Sequence, residues 1–317
     1  MLTRWRRLRQ RGVLGMNDRN GSFILPNNPR KHYPRVDDKL LTKRLAQAAG
    51  IPIPRLLGVV SEYHELRDVP AMLDHMQPFV IKPARGAQGN GIVVIVEAEK
   101  GRYRRTNGMF LDDDELQQHL SSILSGVFSL RGDWDSAIIE EMIVIHPAFS
   151  PIALQGVPDI RVVVYRGLPV MAMCRLPTSL SSGRANLHQG AIGLGIDIAS
   201  GRSVHAMLRN RTITTHMDTG HDLVGFTVPH WTEVLSLAAR ASDMSGLGYL
   251  GVDVVVDAAH GPVLLELNAR PGLAIQLANM EGLLPRLRRA DSIPVETLST
   301  WEDRCRVARE LFDRSPG

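Results

Sequence analysis

The chain has 317 residues, of which 44% are hydrophobic and 22% charged, with a formal net charge of +4. This is an ordinary globular composition with enough chain for two or three subdomains. The two cysteines form no Cys-X-X-Cys or Cys/His pattern, so neither a disulfide framework nor a structural zinc site is expected. No signal-peptide pattern and no run of about 18 apolar residues occurs, so we expect a soluble, cytoplasmic protein with no membrane partner.

The N-terminal part of the chain is basic and then irregular. Five arginines fall within the first eleven residues, whereas the whole chain has only five lysines. An arginine run can contact nucleic acid, but a solvated terminus explains it better, because a charge run alone has no recognition geometry. Residues 15–38 are rich in Asn, Gly and Pro and are typical of an irregular connector. Residues 1–38 are therefore predicted to be a basic segment and connector.

Helices and strands are predicted to alternate after the connector. A helix in DKLLTKRLAQAAG can be capped by Asp37 or Asp38 and ends at Gly50. Short apolar, β-branched runs predict strands in FVIKP, GIVVIV, AIIEEMIVI, DIRVVVYRG, LPVMAMCRL, GVDVVVD and PVLLELN. Further helices are predicted over residues 113–125, 230–246 and 295–312. This mixture predicts an α+β or α/β enzyme.

The first chemical motif is FVIKPARGAQGNGIVVI, in which a strand ending in Lys82 leads into a glycine-rich loop. Glycine amides at positions 86, 89 and 91 can approach phosphate oxygens closely, and Lys82 can supply a fixed charge. A structural glycine hairpin is the alternative, and the spacing matches neither a Walker A loop nor a dinucleotide fingerprint. Lys82 favours phosphate binding. We expect it to face phosphate and not a core partner, so that its loss leaves the fold intact.

Two further strands carry charged side chains. Glu140 and Glu141 in AIIEEMIVI could accept hydrogen bonds from an adenine amino group, or could simply be a solvent-facing pair on an edge strand. Asp159 and Arg161 in DIRVVVYRG share one strand face by period-two alternation, which an ion pair would explain equally well.

A polar loop follows in SGRANLHQGA. It carries Arg184, Asn186, His188 and Gln189, four side chains with hydrogen-bond donors within six residues. Such a loop is suited to binding anions, although most loops of this kind are only surface.

The stretch ELNARPG places Glu266 and Asn268 two residues apart on an apolar strand. Asp253 in GVDVVVD precedes Glu266 by thirteen residues, and the turn signal DAAHGP lies between the two strands. Antiparallel pairing would bring the three side chains together. Two carboxylates and an amide oxygen are hard ligands suited to Mg²⁺, whereas a solvated pair would not be framed by VLLELN.

The order of these motifs resembles that of the ATP-grasp superfamily. DDKLLTKRLAQAAGIPIPR, VIKPARGAQGNGI, IIEEMI, DIRVVV, RANLHQGA, GVDVVVD and LLELNARPG are similar to its successive motifs over about residues 37–280. The similarity is to its alpha-L-glutamate ligase-like branch, related to the ligase that adds glutamate to a ribosomal protein. The resemblance implies two α+β subdomains, 39–145 with the glycine-rich flap and 146–290 with the metal site, that grip ATP between antiparallel sheets. A C-terminal helix then occupies 291–317.

The resemblance also implies roles for individual residues. Nucleotide contacts are carried over to Lys39, Lys82, Gly86, Gln88, Gly89, Gly91, Glu140, Glu141, Met142, Asp159, Arg184 and Asn186. Metal ligands for two Mg²⁺ (or Mn²⁺) ions are carried over to Asp253, Glu266 and Asn268. Charge neutralisation and proton handling in catalysis fall to Arg184, His188, Arg161 and Arg270.

Three departures from the family pattern bear on the substrates. Only 38 residues precede Lys39, so the N-terminal domain is expected to be much shortened and the acceptor contacts built differently. Arg270 stands where a small residue is common, and its guanidinium could bind a substrate carboxylate. An acidic residue that some members use for ribose is missing after the adenine strand, which leaves Asp159 as the ribose partner.

The implied reaction is ATP-dependent ligation of a carboxylate to an amine through an acylphosphate. It would join glutamate or another amino acid to a peptide, protein or small molecule. Phosphoryl transfer needs mainly positioning and charge neutralisation, which these residues can supply. A kinase using the same residues stays open, as does an oligomer. A non-catalytic nucleic-acid binder is disfavoured, because no aromatics beyond Trp5 interleave with the N-terminal cations.

Overall fold

The computed structural model describes residues 6–8, 10–86, 89–129 and 132–314. The chain forms two compact units. The larger unit contains the described residues up to Asp37, Leu41–Ile53, and the residues from Val144 onward. The smaller unit contains Asp38–Leu40 and the described part of Pro54–Ile143. Residues 1–38 and the C-terminal helix are predicted to form segments of their own, whereas the larger unit includes nearly all of their described residues.

The smaller unit is built on a six-stranded antiparallel sheet with the strand order β1-β6-β2-β3-β4-β5. The strands are β1 Leu56–Val60, β2 Phe79–Pro83, β3 Val93–Glu99, β4 Arg102–Arg105, β5 Phe110–Asp112 and β6 Ala137–Glu141. Helical segments lie at Tyr63–Asp68, Val69–Leu73 and Asp113–Leu124. β6 lies between β1 and β2, so the last strand of this sheet in sequence is an interior strand.

The helix Asp113–Leu124 forms much of the core of the smaller unit. Asp112 caps its first turn by accepting a hydrogen bond from the Glu115 amide at 2.9 Å. Apolar residues recur at helical spacing along one face, and all of them are fully buried in the cluster that also contains the β2 side chains. These buried positions are Leu116, Leu120, Ile123 and Leu124.

The larger unit is built on a seven-stranded antiparallel sheet with the strand order β11-β10-β9-β8-β7-β12-β13. The strands are β7 Asp159–Tyr165, β8 Leu168–Leu176, β9 Ile192–Ile196, β10 Ser203–Leu208, β11 Arg211–Ile213, β12 Tyr249–Asp257 and β13 Gly261–Asn268. Val252, Val254 and Val256 belong to the main apolar core. Asp253 alternates with them and therefore lies on the opposite face of the sheet.

Helices complete the larger unit. Those after residue 140 are Pro147–Ile152, Ser179–Ser181, Leu187–Gln189, Trp231–Ser245, Ile275–Ala278, Leu283–Asp291, Val295–Leu298 and Trp301–Leu311. The helix Lys39–Ala48 starts in the smaller unit and ends in the larger one, and Asp38 caps it through Oδ1, which accepts from the Leu40 amide at 3.0 Å. Within the described ranges, no helix is long and apolar enough to cross a lipid bilayer.

The segment predicted to be an irregular connector is largely helical. It contains the helical segments Met16–Asp18, Arg19–Ile24, Leu25–Asn27, Arg30–His32 and Pro34–Asp37. Phe23, Ile24 and Val36 from this segment are buried in the main core. Burial of these side chains offsets the weak helix propensity of a segment rich in Asn, Gly and Pro, which the sequence pattern alone does not reveal.

Candidate functional site

The strand register of the larger unit brings most of the predicted metal and catalytic residues onto one face of its sheet. Asp253 on β12 is the direct partner of Glu266 on β13, and Gly251 is the partner of Asn268. On its other side, Asp253 is the partner of Arg161 on β7. Directly opposed residues of antiparallel strands project from the same face. The predicted grouping of Asp253, Glu266 and Asn268 therefore has a geometric basis in the fold.

Two guanidinium groups surround the Asp253 carboxylate. Arg161 donates from Nε to Oδ1 at 2.7 Å and from Nη2 to Oδ2 at 2.6 Å. Arg175 on β8 donates to Oδ2 at 2.8 Å and makes two further bonds of 2.5 Å to Asp159. The four side chains form a buried network of two carboxylates and two guanidinium groups.

The network shifts the titration of both carboxyl groups. Burial raises the pKa of Asp159 to about 6, against the opposing effect of Arg175. Burial acts to raise the pKa of Asp253 as well, but Arg161 and Arg175 together hold it below its usual value. Asp159, predicted to contact ribose, thus has both its oxygens bound to Arg175, and its ribose role stays a prediction.

Arg175 is a site residue that the sequence analysis missed. The signal was available, because DIRVVVYRG and LPVMAMCRL are joined by a tight turn and pair as a hairpin in which Asp159 is opposite Arg175. Counting back from this turn alone would place Asp159 opposite Cys174, but a one-residue bulge between Val163 and Val164 shifts the register so that Asp159 is opposite Arg175.

The donor set on β12 and β13 fits a magnesium ion. Glu266 is half-buried and, among the described residues, has no side-chain hydrogen bond and no ion pair. Asn268 Oδ1 accepts one hydrogen bond, from the Arg270 amide at 2.8 Å, and keeps a second lone pair. Asp253 Oδ1 accepts a single bond. No group of three or more His, Cys, Asp or Glu side chains suited to a metal occurs within the described residues, so the candidate set depends on the amide.

The loop between β8 and β9 presents its cations to solvent. The side chains of Arg184 and His188 are exposed. Asn186 Oδ1 accepts a hydrogen bond from the His188 amide at 3.0 Å and caps the short helix Leu187–Gln189. The oxygen of Asn186 therefore orders the loop locally, and the predicted phosphate contacts of the loop stay predictions.

Lys82 and Glu140 form a buried ion pair in the smaller unit. The two strands β2 and β6 are neighbours, and Lys82 Nζ lies 2.5 Å from Glu140 Oε1. Their relative exposures are 5% and 3%. The expectation that Lys82 has no core partner is therefore wrong, and the expectation that its loss leaves the fold intact loses its basis. Strand β6 intervenes between β1 and β2, which the sequence did not reveal.

The predicted adenine edge follows β6. The Glu141 carboxylate pairs with Arg55 Nε at 3.2 Å, and the Glu141 amide donates to the Arg55 carbonyl at 2.9 Å. The Met142 amide donates to the Pro78 carbonyl at 3.0 Å. These contacts hold the strand end in place, and the adenine contacts of Glu141 and Met142 stay predictions.

The glycine-rich loop is anchored at its start by Lys39. Lys39 Nζ donates to the Gly86 carbonyl at 2.5 Å, and the Lys39 amide donates to the Ala84 carbonyl at 2.9 Å. The structure thus brings together two residues predicted to contact nucleotide. A Cβ at Gly86 would lie 2.2 Å from Pro83 Cγ, so this position requires glycine. Gln88, also predicted to contact nucleotide, lies outside the described residues.

We expect Gly91→Ala to destabilise the protein more than Gly89→Ala. Both glycines have left-handed backbone angles, φ of +75° and +76°, which cost an alanine about 1–2 kcal/mol. Only at Gly91 would the new Cβ also collide, 2.7 Å from the Phe128 ring. We therefore expect an additional loss of about 1–3 kcal/mol for Gly91→Ala, measured by urea unfolding. Equal losses for the two variants would show that the Phe128 ring moves aside at no cost.

The comparisons with known proteins point to one family. Residues 18–292 match the family model described as sugar-transfer associated ATP-grasp. A probable alpha-L-glutamate ligase of Alcanivorax borkumensis is 25% identical over 280 residues, which cover 86% of this chain and 70% of that protein. A second, of Thioalkalivibrio sulfidiphilus, is 24% identical over 252 residues, covering 79% of this chain and 61% of that protein. The chain therefore spans well under the full length of these curated relatives.

Among solved structures, one match is D-alanyl-alanine synthetase A of Vibrio cholerae. It is 12% identical, the match covers 89% of this chain and 66% of that chain, and the TM-score is 0.46. The family match and the relatives carry the assignment. They confirm the predicted α+β ATP-grasp fold and the predicted likeness to glutamate ligases, and the predicted carboxylate–amine ligase class agrees with the relatives' names. The chain belongs to the sugar-transfer associated ATP-grasp family.

Proposed function

We propose that the protein is an ATP-dependent ligase that joins a carboxylate to an amine through an acylphosphate. The observation that carries the proposal is the half-buried Glu266 carboxylate. It has no partner among the described residues, yet it lies directly opposite Asp253 and two residues from Asn268. A partly buried carboxylate without a partner, beside a second carboxylate, is unfavourable unless a cation binds it.

In this proposal Asp253, Glu266 and Asn268 hold two magnesium ions. Magnesium bound with ATP supplies positive charge at the phosphate oxygens. Arg161 and Arg175 keep the Asp253 carboxylate ionised and fixed in direction. In this proposal the exposed Arg184 side chain adds charge for the transferred phosphoryl group, and the exposed His188 takes up a proton.

The smaller unit contributes nucleotide contacts in this proposal. Lys82 has three N–H donors, and Glu140 occupies one of them and orients the ammonium group. The glycine-rich loop, held at its start by Lys39, contacts phosphate oxygens through its amides in this proposal. Glu141 and Met142 provide the strand end for adenine.

The reaction has two steps. A substrate carboxylate oxygen bonds to the γ-phosphorus while the bond from that phosphorus to its bridging oxygen breaks, giving an acylphosphate and ADP. The amine nitrogen then bonds to the acyl carbon, phosphate leaves, and the nitrogen gives up one proton to His188, which passes it to solvent. A carboxylate is a poor electrophile until one of its oxygens is part of a leaving group, which is why ATP is required.

The relatives named as glutamate ligases support glutamate as the first acid substrate to test. The family description, which refers to sugar transfer, supports amino sugars alongside amino acids and peptides as amines. The cytoplasmic location inferred from the sequence stays a prediction.

We expect a condensed product when the protein is incubated with ATP, magnesium and pooled acids and amines. Mass spectrometry should detect a product whose mass is the sum of one acid and one amine less one water, together with ADP. Omitting the amine should suppress most phosphate release. A phosphorylated substrate that forms without any amine would instead identify a kinase, and ATP-independent, salt-sensitive nucleic-acid binding would contradict the enzyme assignment.

A further inference from the structure

The N-terminal segment is bonded directly to the loop that carries the predicted metal ligands. Arg19 Nη1 donates to the Pro271 carbonyl at 2.6 Å. Asn28 Nδ2 donates to the Ala269 carbonyl at 3.2 Å, and Asn28 also bonds to both backbone groups of Tyr249. Residues of this segment therefore fix the backbone of ELNARPG immediately after Asn268.

Arg19 is a buried cation with only neutral acceptors. Its relative exposure is 6%. Besides Pro271, it donates from Nε and Nη2 to Asn20 Oδ1 at 3.0 and 2.8 Å. Among the described residues, no carboxylate forms an ion pair with it. Burial lowers the pKa of Arg19, and the nearby Arg270 guanidinium lowers it further. A buried charge without a counter-ion is unfavourable, so an anion bound nearby would be stabilising.

Arg270 is the exposed member of the same positive group. Its Cζ lies 5.2 Å from the centre of the Tyr33 ring, which belongs to the N-terminal segment. Its side chain also has no carboxylate partner within the described part of the chain. Stacking on an aromatic face orders a guanidinium group while leaving its N–H edge available for a bidentate contact. The backbone amide of Arg270 bonds to Asn268 Oδ1, so the cation is adjacent to a predicted metal ligand.

We propose that Arg270, ordered by Tyr33 and supported by Arg19, binds a carboxylate of the acid substrate beside the metal-ligand loop. Arg270 contacts the anion, and Arg19 is a positioning residue that fixes Pro271 and adds a second positive charge. The N-terminal segment thereby supplies part of the substrate site. The identity of the anion as a substrate carboxylate rests on the proposed ligase function, whereas its binding can be measured without ATP.

The first test measures binding in the absence of ATP and magnesium. Thermal stability of the full chain is titrated with acetate, succinate and L-glutamate, each against its fully amidated analogue. We expect at least one acid, but no amide, to stabilise the wild type. Arg270→Gln should weaken that acid's apparent affinity about tenfold or more, as expected for the loss of a charged hydrogen-bonded pair. Arg30→Gln, which removes an exposed cation from the same segment, should leave it unchanged.

A second comparison separates a charge effect of Arg19 from a purely structural one. Arg19→Lys keeps the charge and should retain more of the acid affinity than Arg19→Met. If both variants only lower the melting temperature of the unliganded protein and leave the acid affinity unchanged, Arg19 has no part in the site. Arg270→Asn and Tyr33→Leu leave the buried Arg19 in place, and both should weaken the apparent affinity for the acid.

A phosphate group could also be bound by these two cations. The affinity for ATP distinguishes a phosphate site from a carboxylate site. We expect Arg270→Gln to leave the affinity for ATP in EDTA unchanged. A parallel loss of ATP affinity would assign the cations to phosphate and overturn the proposal, as would equal stabilisation by acids and amides. Failure of ligation with carboxylate binding intact would instead reject the proposed function and leave the carboxylate site standing.

Discussion

Replacing Glu266 with Gln is expected to abolish turnover without destabilising the unliganded protein. Among the described residues Glu266 has no hydrogen-bond or ion-pair partner, so the change orphans no group. The repulsion that it relieves is small, because Arg161 and Arg175 already neutralise Asp253. Removing one carboxylate from the metal site should lower turnover by about 100-fold or more.

Thermal melts with and without Mg-ATP provide the measurement for Glu266→Gln. The wild type should gain about 2.7 kcal/mol of stability at a ligand concentration of about 100 Kd, and the variant should lose most of that gain. Asp253→Asn is the matched control, because it removes the carboxylate that pairs with the largely buried Arg161, whereas Arg175 keeps its two bonds to Asp159, and it should destabilise the unliganded fold by about 3–5 kcal/mol. A Glu266→Gln variant that unfolds as readily as Asp253→Asn would make Glu266 a structural residue.

Lys82→Ala is expected to destabilise the protein by about 3–5 kcal/mol, because it leaves the buried Glu140 carboxylate without its ammonium partner. Lys82→Met combined with Glu140→Leu removes both charges and keeps similar volumes, so it should recover much of the loss. The free energy of unfolding in urea measures both effects. If Lys82→Ala leaves the free energy of unfolding unchanged, the ion pair with Glu140 does not stabilise the fold, and phosphate binding is the remaining role of Lys82.

ATP affinity separates the stabilising role of Lys82 from its proposed nucleotide role. At temperatures and urea concentrations at which it is still folded, the Lys82→Met, Glu140→Leu double variant should bind ATP weakly. If it binds ATP as the wild type does, the Lys82 charge is structural only.

Local sequence pattern was sufficient where the relevant contacts are close in the chain. The strand β8 was predicted with its observed bounds. The DAAHGP turn was sufficient to predict that β12 and β13 pair and bring Asp253 near Glu266, although a one-residue bulge between Asp253 and Val254 sets their direct pairing. The helix Asp113–Leu124 was predicted to within a residue, since its apolar spacing and acidic first turn are both local signals.

Contacts between distant segments were not predictable in this way. The Lys82–Glu140 pair depends on β6 inserting beside β2, a matter of topology that neither strand encodes by itself. The helical N-terminal segment follows from burial of Phe23, Ile24 and Val36 against residues far along the chain. The role of Arg19 could not be predicted from the sequence, because its partner Pro271 is 252 positions away and the bond is to a backbone carbonyl.

Activation of a carboxylate by ATP, followed by transfer of the acyl group to an amine, is tested most directly by isotope transfer. The acid substrate found in the screen is labelled with oxygen-18 in its carboxylate, and the phosphate released during ligation is analysed by mass spectrometry. The acylphosphate route predicts one labelled oxygen in each phosphate, because the carboxylate oxygen that attacks the γ-phosphorus leaves with it. Unlabelled phosphate accompanying the condensed product would contradict the route.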